Sequence, residues 1–226
     1  MVRILHIETA TKVCSVGLSE NREIIAIEEE TSDKYIHAER LTVLIEKIMK
    51  EAGLNYSELS AIAVTSGPGS YTGLRIGVST AKGLCYAADL PLIAIDTLDG
   101  IIEQAHQAYP DQNICAMIDA RRMEVFSKIV DKKGIIIKPL SADELETTTY
   151  DDLKPFLACG DGALKCKEIW GGQSVVFDTS IKSSIRGQVN QAYRMYKEEI
   201  FSDVAYFEPK YLKDFVATQP KKKKFY

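Results

Sequence analysis

The stretch Ser66-Gly67-Pro68-Gly69-Ser70-Tyr71-Thr72-Gly73-Leu74-Arg75-Ile76-Gly77 decides how this chain folds. An apolar run, Ala61 to Val64, precedes it, and small residues at helical spacing follow it. Four glycines in such a place mark a turn where the backbone comes close to something, because glycine has no Cβ to hold a neighbour away. Pro68 fixes one φ and withdraws one donor, and the helix start behind it leaves N–H groups suited to an anion. The neighbour is therefore a phosphate, a second helix or a partner protein.

Outward from the loop, Ser60 to Thr65 reads as a short buried strand, and the loop opens a helix running to about Asp89. Upstream, Arg3 to Glu8 and Val13 to Ser19 are strands joined by a tight turn, and Glu23 to Glu30 alternates as a third. From Ile36 to Ala52 the apolar residues recur at steps of three and four, marking an amphipathic helix that stops at Gly53. Pro91 to Ile95 is another buried strand, and the order βββαβαβ describes a mixed sheet carrying helices. The second half begins again with a helix, Leu98 to Ala108, then paired strands at Asn113 to Asp119 and Glu124 to Asp131. Further strands are expected at Ile135 to Ile137, Pro155 to Gly160 and Ser174 to Asp178, and a helix from Ile185 to Glu199. The chain thus divides into an N-terminal lobe, 1–97, a C-terminal lobe, 98–216, and a basic tail, 217–226.

At 226 residues and 46% hydrophobic content, two small cores are affordable. Lys and Arg total 28 against 32 Asp and Glu, and four of the lysines, Lys221 to Lys224, crowd into the last six residues. Without them the body is 24 basic against 32 acidic, a net −8, which makes it a poor unaided binder of nucleic acid. No apolar stretch approaches the roughly 20 residues that span a membrane, and the first residues lack a signal-peptide pattern. The expected location is cytoplasmic. Five scattered cysteines read as reduced, buried thiols, and Cys159 and Cys166 lack zinc spacing.

Candidate chemistry narrows quickly. A Walker loop ends in Gly-Lys-Ser/Thr, whereas Gly73 is followed by Leu74 and Arg75. A dinucleotide fingerprint on Gly67, Gly69 and Gly73 with Asp96 downstream has loose spacing and a proline in its turn. His37 heads the first long helix, but a helical metal pair needs a second imidazole at position 41, which is Leu41. His6 and His106 fit structural roles, and no Ser/His/Asp or Cys/His constellation assembles.

Several motifs occur in one order: Ile4-Leu5-His6-Ile7-Glu8-Thr9-Ala10-Thr11, Cys14-Ser15-Val16-Gly17-Leu18, His37-Ala38-Glu39-Arg40-Leu41, the glycine loop, Ile118-Asp119-Ala120-Arg121-Arg122-Met123-Glu124-Val125-Phe126, and the late Glu208 to Val216. Together they resemble the TsaB family, the bacterial tRNA threonylcarbamoyladenosine biosynthesis proteins. The resemblance implies an α/β fold of the actin-like ATPase (ASKHA) type, two ribonuclease-H-like lobes with mixed sheets. It implies a non-catalytic role: binding the threonylcarbamoyl transferase TsaD, together with the ATPase TsaE, so that adenosine 37 is modified in tRNAs reading ANN codons. The transferase keeps a metal-binding His-x-x-x-His on the helix matching Ile36 to Ala52, and only His37 stands here. The metal is thus expected on TsaD, and tRNA is met through the complex.

Glu8, Thr9 and Thr11 are candidates for a vestigial nucleotide cleft with weak ATP or ADP binding, since the adenosine-clasping glycines are reduced to Cys159-Gly160-Asp161-Gly162-Ala163. Gly73, Gly77, Ala81 and Cys85 form a small-residue stripe at i, i+4, i+8 and i+12 that admits a second helix. That helix is either the chain's own, 36–52, or a partner's. The resemblance implies the latter, with the stripe and His37 facing TsaD or, without it, a homodimer. An ASKHA-type small-molecule kinase or ATPase, and a metallopeptidase, are the alternative classes. The tail has no apolar periodicity, so deleting Lys221 to Lys224 should leave the melting temperature unchanged, and a fall on truncation would show that it packs on the body.

Overall fold

The computed structural model describes residues 1–32 and 36–213, so the tail lies outside the described residues. Two five-stranded mixed sheets carry the chain. In the first, β1 (Arg3–Glu8), β2 (Val13–Glu20) and β3 (Glu23–Thr31) form an antiparallel meander, and β4 (Ala61–Gly67) and β5 (Leu92–Asp96) add in parallel, giving the order β3-β2-β1-β4-β5. The second repeats that order with β6 (Ile114–Asp119), β7 (Glu124–Val130), β8 (Ile136–Glu144), β9 (Phe156–Cys159) and β10 (Val175–Asp178), arranged β10-β9-β6-β7-β8.

The helices follow the same repeat. In the first lobe α1 (His37–Ala52) connects β3 to β4, and α2 (Tyr71–Ala88) connects β4 to β5. The α1 stripe of Leu41, Leu44, Ile45, Ile48 and Met49 is buried against Leu5, Ile7, Val16 and Val64. Gly53 ends α1 in the left-handed region at φ 64°, with the Leu54 N–H on the Met49 carbonyl at 3.1 Å, a cap that glycine adopts without a Cβ penalty. In the second lobe the place of α1 is taken by a single 3-10 turn, Asp151–Leu153, and that of α2 by the short α4 (Ala163–Ile169).

The last helix of each lobe packs on the other. From α3 (Thr97–Ala108), Leu98, Ile101, Ile102 and Ala105 join Ile114, Ala116, Ile118 and Leu157 of the second sheet. From α5 (Val189–Lys197), Ala192 joins Ile4, Ala63 and Ile93 of the first. The chain then runs back along the first lobe, with the Ser202 N–H on the Leu92 carbonyl at 2.8 Å and the Lys210 N–H on the Ser66 carbonyl at 2.7 Å. Residues from 185 onward, placed with the second lobe by the sequence division 98–216, thus cover the first sheet.

Three local readings differ from the structure. β8 extends to Glu144, beyond the expected 135–137, because Ser141 and Asp143 alternate as half-buried polar partners of Lys138. The short α4 was not expected. The helix expected over 185–199 divides into a 3-10 turn, Ile185–Gly187, and α5, because the Gly187 backbone presses on Gly100 of α3.

The small-residue stripe faces inward, which corrects its assignment to a partner interface. Gly73, Gly77, Ala81 and Cys85 are all buried, Ala81 with no exposed surface, and Ala81 and Cys85 belong to the first-lobe core with Val78 and the α1 side chains. Ala81→Leu should therefore overpack that core by about 1–3 kcal/mol, lowering the melting temperature of the isolated chain by roughly 3–10 °C. An unchanged melt with weakened association would return the stripe to the surface.

Candidate functional site

Three segments distant in sequence meet at one end of the first sheet: the β1–β2 turn, the start of α1, and the glycine loop. The Ser70 N–H donates to the Ala10 carbonyl at 2.6 Å, while the Ser70 hydroxyl accepts from the Gly73 N–H at 3.2 Å and caps α2. A Cβ on Gly69 would collide with Ala10, one on Gly73 with the Thr9 carbonyl and the His37 ring, and one on Gly77 with the Thr9 hydroxyl. Gly67, at φ 109°, turns the strand into the loop beneath the Lys210 carbonyl. For three of the four glycines, Gly69, Gly73 and Gly77, the close neighbour is thus the chain's own β1–β2 turn.

His37 is buried, and its Nε2 lies 2.8 Å from the Thr11 carbonyl, so that nitrogen carries the proton and donates. Burial lowers its pKa, with the Thr11 carbonyl opposing, which keeps the ring neutral. This corrects the expectation that His37 faces a partner. Leu41, one turn on, is 1% exposed inside the core. A ring whose Nε2 serves a carbonyl, followed by a core leucine, offers no ligand pair for a metal. Among the described residues no group of three or more His, Cys, Asp or Glu side chains is arranged to hold one.

Glu8, Thr9 and Thr11 are likewise buried. The Glu8 carboxyl accepts from the Ala10 N–H at 2.7 Å and from the Thr65 hydroxyl at 2.5 Å, and the Thr11 hydroxyl accepts from the Val13 N–H at 3.2 Å. Gln188, from the segment leading into α5, donates to Thr65 Oγ1 at 2.8 Å and to the Ile7 carbonyl at 3.2 Å. These N–H groups are already bonded within the chain, and a phosphate there would lie beside a buried carboxyl. Two N–H groups at the turn, those of Ala10 and Val13, are thus taken up before any phosphate arrives. In the second lobe Gly160 and Gly162 bring the backbone against Met117 and Ile118 of β6, so this cluster also serves internal packing.

Two titratable groups on the same face of β1 have their pKa values shifted toward the neutral form by burial. Burial lowers His6 to about 3, with its Nε2 2.7 Å from the Ser19 hydroxyl. Burial raises the Glu8 pKa above its ordinary value, opposed by the hydrogen bonds from Thr65, Ala10, Ser183 and Gln188. Two cavities of about 450 and 530 Å³ lie elsewhere, one between the β2–β3 turn and Tyr193, the other beside Lys154 and Gln173.

Two equivalent mixed sheets that exchange their last helices, with a hairpin turn at the matching end of each, define the actin-like ATPase (ASKHA) class of fold. A family model described as TsaD, tRNA N6-adenosine threonylcarbamoyltransferase, matches residues 29–221, and the chain belongs to that family. It resembles the tRNA threonylcarbamoyladenosine biosynthesis proteins TsaB: that of Haemophilus influenzae is 37% identical over 131 residues, 58% of this chain and 55% of the relative. The TsaB of Escherichia coli is 36% identical over 125 residues, 55% and 53% of the two chains. The chain thus spans about half the length of the curated relatives it matches. Among solved structures, YeaZ from Pseudomonas aeruginosa has the same fold, with a TM-score of 0.80 at 23% identity over 94% of this chain and 100% of that one. The ADPNP-bound activator of 2-hydroxyisocaproyl-CoA dehydratase from Clostridium difficile shares it more distantly, with a TM-score of 0.54 at 10% identity over 88% and 96%.

The raised Glu8 pKa has a pH signature. Its folded pKa lies above the unfolded one, so its contribution to stability is fully present below about pH 4.5 and is lost as pH rises through the folded value. Glu8→Gln removes that titration while keeping the shape. The stability of the natural chain relative to the variant should therefore fall as melts are taken from pH 4.5 to 8, whereas parallel curves would show that Glu8 ionises at its ordinary pKa.

Proposed function

We propose that this chain is a non-catalytic TsaB-type subunit, required for threonylcarbamoyl transfer to adenosine 37 of tRNAs reading ANN codons, and acting by binding the transferase TsaD with the ATPase TsaE. The observation that carries this reading is the sealed β1–β2 turn. In a working ATPase of this fold class, that turn must leave N–H groups to meet phosphates. Here α2 occupies the approach, with the Ser70 N–H on the Ala10 carbonyl, and the Glu8 carboxyl and Thr11 hydroxyl take up the Ala10 and Val13 N–H groups.

The metal-dependent half of the chemistry has no support either. A metal that polarises a carbonyl needs ligands with free lone pairs, and the position one turn beyond His37 is a core leucine. Metal and nucleotide chemistry are therefore assigned to TsaD and TsaE, and tRNA is met in their company. The same two features weigh against the small-molecule kinase or ATPase and the metallopeptidase alternatives. With the stripe turned inward, the face of α1 and α2 left for TsaD, or for a second copy of this chain, is the outer one, where Val43 and Tyr86 are exposed. No helix of the described residues is long and apolar enough to cross a membrane, and a cytoplasmic assembly is the setting we assign.

Omission of single components tests the reading. With TsaD, TsaE, ATP, threonylcarbamoyl-adenylate and tRNA, leaving out this chain should abolish threonylcarbamoyladenosine formation, and the chain alone should form none. Turnover by the chain alone, or undiminished formation without it, would overturn the scaffold role.

A further inference from the structure

We propose that the β6–β7 turn, Ala120-Arg121-Arg122-Met123, is an RNA-contact surface on which the Arg121 and Arg122 guanidinium groups bind phosphodiesters of the tRNA backbone. This rests on the tRNA-modifying role proposed above and names the part of this chain that touches the substrate.

The doubled architecture makes this turn the counterpart of the β1–β2 turn, since β6 and β7 occupy the positions of β1 and β2 in their sheet. The two have opposite fates. The first is buried under α2, whereas Arg121, Arg122 and Met123 are exposed, Met123 at 48%. Both arginines have left-handed backbones, φ 66° and 50°, a conformation in which hairpin turns favour Asn and Gly. Two long cationic side chains are thus kept where they cost backbone energy.

The turn is fixed before any ligand arrives. The Arg121 N–H donates to Asp119 Oδ1 at 2.6 Å, the Glu124 N–H to the Arg121 carbonyl at 3.2 Å, and Lys165 Nζ to the Arg122 carbonyl at 2.6 Å. Asp119 is itself held by Lys165 at 2.6 Å, and its N–H donates to Asp161 at 3.0 Å. Little ordering entropy therefore remains to be lost on binding.

The charge is uncompensated. Asp119 pairs with Lys165 and Glu124 with Lys213, while among the described residues neither guanidinium has a hydrogen bond or ion pair, on a chain with 32 acidic residues. A guanidinium offers a planar fork that meets two phosphate oxygens at once. A short hairpin turn that carries two arginines suits such point contacts. It is too small to supply the roughly 800 Å² per partner of a stable protein interface, which favours RNA over an acidic protein as the occupant.

The test compares the full chain with the Arg121→Gln/Arg122→Gln double variant, using a labelled tRNA transcript titrated against each protein, alone and with TsaD, over a range of salt. Arg22→Gln, on the β2–β3 turn, is the charge control, and unchanged melting temperatures establish folding. The double variant should weaken tRNA binding at least tenfold and reduce the salt slope by roughly 1.5, as the loss of two phosphate contacts requires. Arg121→Lys/Arg122→Lys should recover part of the affinity and most of the slope, since it keeps the charges and loses the forks. Unchanged affinity and slope in the Gln variant, or no tRNA binding in either arm, would overturn the proposal. So would a loss confined to the association with TsaD, which would assign the turn to an acidic protein surface. Should the omission assay succeed while these titrations show no change, the scaffold role stands and only this surface fails.

Discussion

The contact between the glycine loop and the β1–β2 turn fixes the rest of the first lobe. A single hydrogen bond, Ser70 N–H to the Ala10 carbonyl, contributes about 1 kcal/mol net, less than the conformational freedom given up by the three glycines around it. The contact persists because of what lies beneath it. With α2 seated on Thr9 and Ala10, Val78, Ala81 and Cys85 meet Leu44, Ile45 and Ile48 of α1, and His37 closes the corner on the Thr11 carbonyl. Local strain and core burial are thus one arrangement. A side chain large enough to open the turn to a ligand would also separate two helices.

The seam between the lobes depends on a different kind of contact. Ile185 lies over Gly17 and Gly187 lies against Gly100, so two glycines on the two lobes admit the segment that joins them. Around it the buried groups are polar: Ser15, Ser19, His6, Glu8, Thr65 and Gln188. Ionising either His6 or Glu8 there is disfavoured by burial, and the hydrogen bonds around them offset that cost only in part, with no countercharge among the shifts' causes. Bonds from Gln188 to Thr65 and the Ile7 carbonyl, and from the Ile185 N–H to Ser15, tie the late segment to β1, β2 and β4. The seam is consequently filled by the chain's own residues, the steric counterpart of the occupied N–H groups at the turn.

Sequence patterns revealed the strands and helices whose signals are local. The α1 stripe is readable because burial there follows a period of 3.6, and β4 and the hairpin pairs because short apolar runs bounded by turn residues read as buried strands. The close approach at the glycine loop was legible too, but not the identity of the neighbour. Small residues at helical spacing have the same appearance under the chain's own turn as under a partner's helix, and so the stripe was assigned outward. The path of residues 185–213 was unreadable for a related reason. α5 is short, and its preceding turn is dictated by Gly100, almost ninety positions away. Hydrogen bonds from Ser202 and Lys210 to Leu92 and Ser66 also leave no trace in side-chain periodicity. Likewise β8 outran its apolar stretch, because polar residues satisfied by Lys138 extend it.

What separates the two lobes chemically is where the helix after the fourth strand lands. In the first lobe that helix is α2, 18 residues long, and Gly69 just before it and Gly73 and Gly77 within it meet Ala10 and Thr9, the tip of the hairpin. In the second it is α4, seven residues long, and Gly160 and Gly162 meet Met117 and Ile118, inside the strand and short of the tip. The same glycine device, moved back along the strand and attached to a shorter helix, closes one hairpin and leaves the other standing free. A repeated fold can in this way lose a ligand site in one half while presenting the matching loop of the other half to solvent. The free loop then carries whatever charge its residues bring, and here those residues are Arg121 and Arg122.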